Sequence, residues 1–244
     1  MSSSVAPIAL PPQVATFLKW QEATTGRDKV LRLVAYFSKY VIQVMKQQNL
    51  SPDWQKRLAS GASSIGVTRK AIRFFRAVEY LQELLKALSV KDDVERYLSL
   101  WKSFWLTVWM VCDHIQWLQK VGYLKLVDLK KIDEYHSKGW FFGLLAGFII
   151  AAYKFKLALD ENKAARAQLN QSLNDPAKLV AANKLLKAGD EKRNKQIMAM
   201  VKNGVDIIIP SARLGWLPVS DGTVGLAGTV TSIIGIVDTW PKSK

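Results

Sequence analysis

The chain has a single cysteine, Cys112, among its 244 residues. That excludes a disulfide framework and any zinc site built on several thiolates. Histidine is nearly as scarce, with only His114 and His136. Cys112, Asp113 and His114 are adjacent in sequence, but neighbours on a helix point about 100° apart and do not share one reaction centre. Asp133 and His136 stand three residues apart with no further ligand beside them, which reads as a solvated pair rather than a metal site. No G-x-S-x-G, Walker or H-E-x-x-H pattern occurs. The expectation is therefore a non-enzyme with no catalytic residue, no metal and no cofactor. Glycine (14) and proline (8) are too few for collagen-like or low-complexity classes, and 49% hydrophobic residues exclude disorder as the main state. Met1–Pro12 holds Pro7, Pro11 and Pro12 and no positive charge, unlike a secretory signal, so synthesis in the cytosol is expected.

Acidic residues are also in short supply. Lys plus Arg number 35 against 20 Asp plus Glu, a net charge of +15. Such a surplus points to an anionic partner, either nucleic acid or an anionic membrane surface. Nine tryptophans suit both, since aromatic rings stack on bases and also anchor at headgroup level.

Strand alternation is absent and the 3.6-residue period recurs throughout, so the chain reads as all-α. A helix is expected from Thr24-Thr25-Gly26 to about Gln48. Ser51 and Pro52 read as the cap and first position of the next. Further helices are expected over about 64–89, 92–120 (closed by Gly122) and 131–169. Another opens at Pro176 and is punctuated by Gly189 and Pro210, and a last apolar stretch covers 222–237.

Two segments lack charge altogether. Gly139–Tyr153 reads GWFFGLLAGFIIAAY, with Lys138 before it and Lys154 and Lys156 after it. As a helix it covers about 22 Å, short of a hydrocarbon core of roughly 30 Å. Trp140 and Tyr153 stand where an aromatic belt belongs, and the flanking lysines can snorkel. A buried soluble helix is the alternative. Gly139, Gly143 and Gly147 share one face and permit close approach of a second helix. The other uncharged segment, Gly222–Val237, carries the small-residue pairs Gly228/Ser232 and Gly225/Thr229. The resulting division is an N-terminal helical region over 1–138, a candidate span over 139–153, a basic helical loop over 154–221, a second span over 222–238 and a short tail over 239–244.

Arg69–Leu88 is amphipathic. Phe74, Phe75, Val78, Leu81 and Leu85 fall on one arc, with Arg69, Arg73 and Arg76 opposite and Lys70 at the margin. A basic helix with an aromatic, apolar face suits a membrane interface, and it equally suits a bundle core. The three tryptophans Trp101, Trp105 and Trp109 also share a face.

Three ordered marks carry a resemblance. The first is Gly26-Arg27-Asp28-Lys29-Val30-Leu31-Arg32 running into Tyr36. The second is Asp113-His114, then Trp117 and Lys120-Val121-Gly122. The third is Asp206-Ile207-Ile208-Ile209-Pro210, then Leu214-Gly215 and Gly225-Leu226-Ala227-Gly228 through Ser232. In this order and spacing the chain resembles the peroxin-11 family of peroxisomal membrane elongation and proliferation factors. The resemblance implies an integral peroxisomal membrane protein with both termini cytosolic and residues 154–218 on the matrix side. It also implies that Arg69–Leu88 binds and remodels anionic membrane lipid, with Arg69, Lys70, Arg73 and Arg76 at the headgroups. Implied partners are further copies of the chain, a dynamin-related fission GTPase with its tail-anchored adaptor, and the import receptor for peroxisomal membrane proteins, with no nucleic acid. A pore for small metabolites, an activity also discussed for the family, is the alternative function. Gly139, Gly143, Gly147, Gly225, Gly228 and Ser232 are the expected helix-packing positions.

Overall fold

A computed structural model describes residues 12–125, 128–171 and 176–240. Residues 1–11 of the proline-bearing lead and 241–244 of the tail lie outside the described residues. Among the described residues eight helices follow one another: α1 (Pro12–Glu22), α2 (Thr24–Gln47), α3 (Pro52–Ile72), α4 (Arg76–Ala87), α5 (Asp93–Lys120), α6 (Leu129–Gln171), α7 (Pro176–Arg213) and α8 (Asp221–Thr239). No strand occurs among the described residues. The protein is all-α, and α6 and α8 are long and apolar enough to cross a membrane.

Local chemistry sets most helix ends. Asp92 accepts the backbone N–H of Glu95 and starts α5, and Ser220 accepts that of Thr223 and starts α8. Gly122 takes φ +88° just past α5, a left-handed stop that glycine adopts at least cost. Pro52 opens α3 at its first position, although the Ser51 side chain makes no cap bond.

Two expectations are corrected. Gly189 and Pro210 do not interrupt their segment, and both lie inside α7. Asn162 of α6 occupies the space that a Gly189 side chain would take. The amphipathic stretch 69–88 is not one helix either. The chain turns at Arg73–Phe75, where Phe75 adopts φ +69°, so Arg69, Lys70 and the apolar face of α4 belong to different helices. Local periodicity loses here to tertiary pairing: Arg69 and Arg73 are drawn to carboxylates on α2 and α5, while Phe74 packs on His114 and Trp117.

The helices pair antiparallel. Along α2 and α8, Gly222 faces Gln43 and Gly235 faces Lys29. Along α5 and α6, Lys154 bonds Glu95 at 2.6 Å while His136 lies 3.2 Å from Asp113. Along α6 and α7, Gly147 faces Asn203 and Asn162 bonds Asp190 at 3.1 Å. Alanines 151, 158 and 165 of α6 are all buried, a seven-residue repeat of the smallest side chain that can hold two helices close. The backbones of the two candidate spans do not approach each other closely; both pack on α7, where Trp140, Ile209, Val224 and Ala227 form one apolar cluster.

Candidate functional site

An apolar cluster of Trp140, Ile209, Val224 and Ala227 stands beside an unusual number of buried polar and charged groups. The buried side chains include Asp28, Arg32, Arg73, Asp113, His136, Asp206 and Thr231. Many large apolar residues point outward. On α8 the exposed residues are Leu226, Val230, Ile233 and Val237, one face at helical spacing. On α5 they include Tyr97, Trp101, Phe104 and Val111. Contiguous apolar surface of this kind marks contact with lipid or with another protein.

The buried charges form one network. Arg32 of α2 reaches Asp206 of α7 at 2.5 Å and Thr231 of α8 at 3.1 Å. Thr231 stands near the middle of α8, so this ion pair lies level with the centre of a candidate span, where charge is costly unless paired. Asp28 of α2 accepts from Arg69 at 2.9 Å and lies 3.9 Å from Arg73. Asp113 of α5, fully enclosed, takes Lys70 at 2.5 Å and Arg73 at 2.8 Å. Burial opposes the ionised form of Asp28, but Arg69 and Arg73 outweigh it and hold the carboxyl below its ordinary range. Asp113 follows the same logic: burial resists ionisation, and the His136 hydrogen bond with Arg73 and Lys70 pulls its carboxyl well down. Trp109 stacks on Trp140 at 5.4 Å, and its indole nitrogen lies 3.0 Å from His136 Nε2, the same ring nitrogen that stands 3.2 Å from Asp113. These groups wall a cavity of about 400 Å³.

The charged residues of the three sequence marks therefore meet in space. Asp28 and Arg32 come from the first, Asp113 from the second, and Asp206 and Thr231 from the third. Sequence reasoning quoted these residues except Thr231 but assigned them no joint role. Their joining rests on contacts up to 199 positions apart, such as Arg32 with Thr231.

The expected membrane-binding residues divide into two groups. Arg69, Lys70 and Arg73 do not reach outward to headgroups, because their side chains close the buried network on Asp28 and Asp113. Phe74 turns inward as well, its ring 4.7 Å from that of His114 and 5.3 Å from that of Trp117. Arg76 is partly buried beside Glu79 at 3.5 Å. The remaining apolar positions face outward. Phe75, Val78, Leu81 and Leu85 are exposed, with Phe75 72% accessible. Leu88 extends the same face.

The glycines pack within this chain. A side chain at Gly139 would strike the backbone of Trp105 and Trp109, and one at Gly143 would strike Leu106, so both seat α6 on α5. Gly147 faces Asn203 of α7. Gly225 meets the backbone of Tyr36 and Tyr40, Gly228 meets the Tyr36 ring, and buried Ser232 donates to the Gly228 carbonyl. These helix-packing positions thus form the α5–α6, α6–α7 and α2–α8 seams.

The family model for Peroxisomal biogenesis factor 11 (PEX11) matches residues 14–240. Among curated proteins the chain is similar to Peroxisomal membrane protein PMP30B of Candida boidinii, 30% identical over 96% of each chain. It is 27% identical to Peroxisomal membrane protein PMP27 of Saccharomyces cerevisiae, over 94% of this chain and 95% of that one. It is 22% identical to Peroxisomal membrane protein 11B of Homo sapiens, over 91% of this chain and 95% of that one. No solved structure matches the chain. A match that takes in all three sequence marks and every helix from α2 to α8 assigns the fold as a whole, and the chain belongs to the peroxisomal biogenesis factor 11 family.

Proposed function

We propose that the chain resides in the peroxisomal membrane and reshapes it, elongating the organelle so that peroxisomes proliferate and divide, with α4 as the element that enters the leaflet. The observation that carries this reading is the exposed apolar face of α4: Phe75, Val78, Leu81, Leu85 and Leu88. Phe75 adds a second sign. A bulky residue at φ +69° costs roughly 1–2 kcal/mol, and the Phe75 ring stays 72% exposed although it stands edge-on to Phe74 at 5.0 Å. Strain of that sort is kept where the outward aim of the side chain matters.

The mechanism differs from the one the sequence suggested. With Arg69, Lys70 and Arg73 occupied internally, α4 has few cations left for headgroups, and its own exposed face includes Glu79 and Glu83. Membrane contact is therefore mainly hydrophobic. Fully burying one such side chain is worth about 1.5–3 kcal/mol, so five partly covered residues supply on the order of 5 kcal/mol. A helix seated 5–10 Å deep widens one leaflet relative to the other and favours a tubule. Because the glycine faces are consumed inside the chain, further copies would meet through outward faces such as Leu226, Val230, Ile233 and Val237 of α8.

The test is tubulation of vesicles by the full chain carrying Val78→Gln, Leu81→Gln and Leu85→Gln together. These side chains are exposed, so folding is retained and tubules should disappear. Tubules formed as readily by this variant overturn the reading. Raising salt from 0.1 to 0.5 M should weaken vesicle binding by no more than a few fold.

The pore alternative draws on one observation, the charged cavity that α6 lines with His136, Trp140, Gly143 and Leu144. Its test is conductance of the full chain in planar bilayers. Gly143→Leu is unsuited to that test, because it would drive α5 away from α6.

A further inference from the structure

Charge in the cavity is not balanced. Its wall carries nine Lys and Arg side chains against five carboxylates. The three buried carboxylates, Asp28, Asp113 and Asp206, are already engaged by Arg69, Arg73, Lys70 and Arg32. Lys29 of α2 and Lys102 of α5 make no ion pair among the described residues. Lys202 of α7 reaches a carboxylate only at 3.8 Å, on Asp238 outside the cavity wall. Arg73 is about nine-tenths buried, and its Nε, like that of Arg76, has no hydrogen-bond acceptor. Four helices thus bring cationic donors to one space whose buried carboxylates are all engaged, while its two remaining acids, Glu79 and Glu83, are exposed. Leaving such donors empty and dehydrated is costly, and the group that satisfies them is an anion.

We propose that this cavity is a binding site for a phosphate-bearing dianion, gripped by Lys29, Lys202, Arg73 and Arg76, with Lys102 completing the wall. A surplus of several positive charges suits a dianion better than a single carboxylate. Arginine forks and lysine ammonium groups are the donors that phosphate oxygens take. A space of about 400 Å³ lies within the range of small-molecule sites. The crowding of cations is felt at Lys29 in particular. Burial, then Lys202, Arg32 and Arg76, depress its ammonium pKa to about 8, although Asp28 acts the other way. The same chemistry fits a free phosphate ester and a phosphorylated lipid headgroup entering between helices. The site is independent of the α4 face, so either idea can fail alone.

The experiment uses the full chain in phosphatidylcholine nanodiscs, with thermal unfolding followed by tryptophan fluorescence while inorganic phosphate is added at constant ionic strength against chloride. Phosphate should raise Tm in a saturable way. Lys29→Gln and, separately, Lys102→Gln should weaken its apparent affinity at least tenfold. Lys163→Gln, on an exposed residue of α6, should leave it unchanged. A second arm adds phosphatidylinositol 4-phosphate to the disc. If the headgroup is the occupant, Tm rises without added phosphate and free phosphate then adds nothing; if a soluble ester is the occupant, the lipid has no effect. Absence of a saturable shift in both arms overturns the site, as does an equal shift in the Lys29→Gln protein. The triple α4 variant should bind phosphate normally, which separates this result from the tubulation result.

Discussion

Asp113→Asn is the most informative single change to the buried network. The substitution preserves volume, so no cavity contributes, and it removes one negative charge at a position with no solvent exposure. Lys70 and Arg73 then lose their 2.5 Å and 2.8 Å partner. Arg73 keeps only Asp28 at 3.9 Å, whereas Lys70 keeps the Gln116 side-chain oxygen at 2.6 Å and is itself 22% exposed. Removing one partner of a buried pair costs about 3–5 kcal/mol. Partial rescue of Lys70 puts the loss at the lower end, about 3 kcal/mol. For a chain of this length 1 kcal/mol moves Tm by about 2–4 °C, so Tm should fall by roughly 6–12 °C. Tryptophan fluorescence is the natural readout, because Trp109 sits inside the network. Asp53→Asn is the control: its partner Arg57 and Asp53 itself are 67% and 69% exposed, and such pairs are worth about 0.3–0.5 kcal/mol. Adding Lys70→Gln to Asp113→Asn should recover part of the loss by deleting one orphaned charge. A fall below 2 °C for Asp113→Asn, or no recovery in the double variant, refutes the network as a stabilising unit.

Other outcomes are expected from the same structure. Phe75→Gly relieves a left-handed backbone that phenylalanine tolerates poorly, so Tm should rise by a few degrees while vesicle binding weakens, measured by thermal unfolding and flotation. Gly225→Val should expose the chain to protease near α8, because its side chain would press the backbone of Tyr36 and Tyr40; normal resistance would contradict the α2–α8 seam. Lys29 is a base whose folded pKa is lowered from 10.5 to about 8, so between those values the unfolded chain holds more protons and stability rises with pH. Lys29→Met should therefore exceed the parent in Tm at pH 7.5, with the gap narrowing by pH 10; a constant gap would contradict burial of that charge.

The helices were legible in the sequence where caps and composition agreed. Asp92 before α5, Pro52 at the head of α3 and the uncharged run of α8 all fall within a residue or two of the observed ends. Gly189 and Pro210 misled because breakers act locally, whereas here contact with Asn162 and the length of the α6–α7 pairing decide. The amphipathic wheel over 69–88 placed Val78, Leu81 and Leu85 on one face, as period alone allows, but only the fold shows that face exposed. It failed for Arg69 and Arg73, because a wheel assigns every charge to water and cannot see carboxylates 41 and 40 positions away. The same blindness hid the cavity. Its buried acids Asp28, Asp113 and Asp206 were visible one by one in three motifs, and only the fold makes them neighbours.

The alanine-seamed pairing of α6 and α7 has a mechanical consequence. From Lys154, where the uncharged segment ends, α6 runs on to Gln171, and at 1.5 Å per residue that is roughly 27 Å of helix braced by a partner. A braced rod of this length is a mast. Its tip stands about three Debye lengths from the end of the uncharged segment at physiological salt, so charges at one end are screened from the other. A pull on the tip is delivered along a rigid axis toward the place where the buried ion pairs are held.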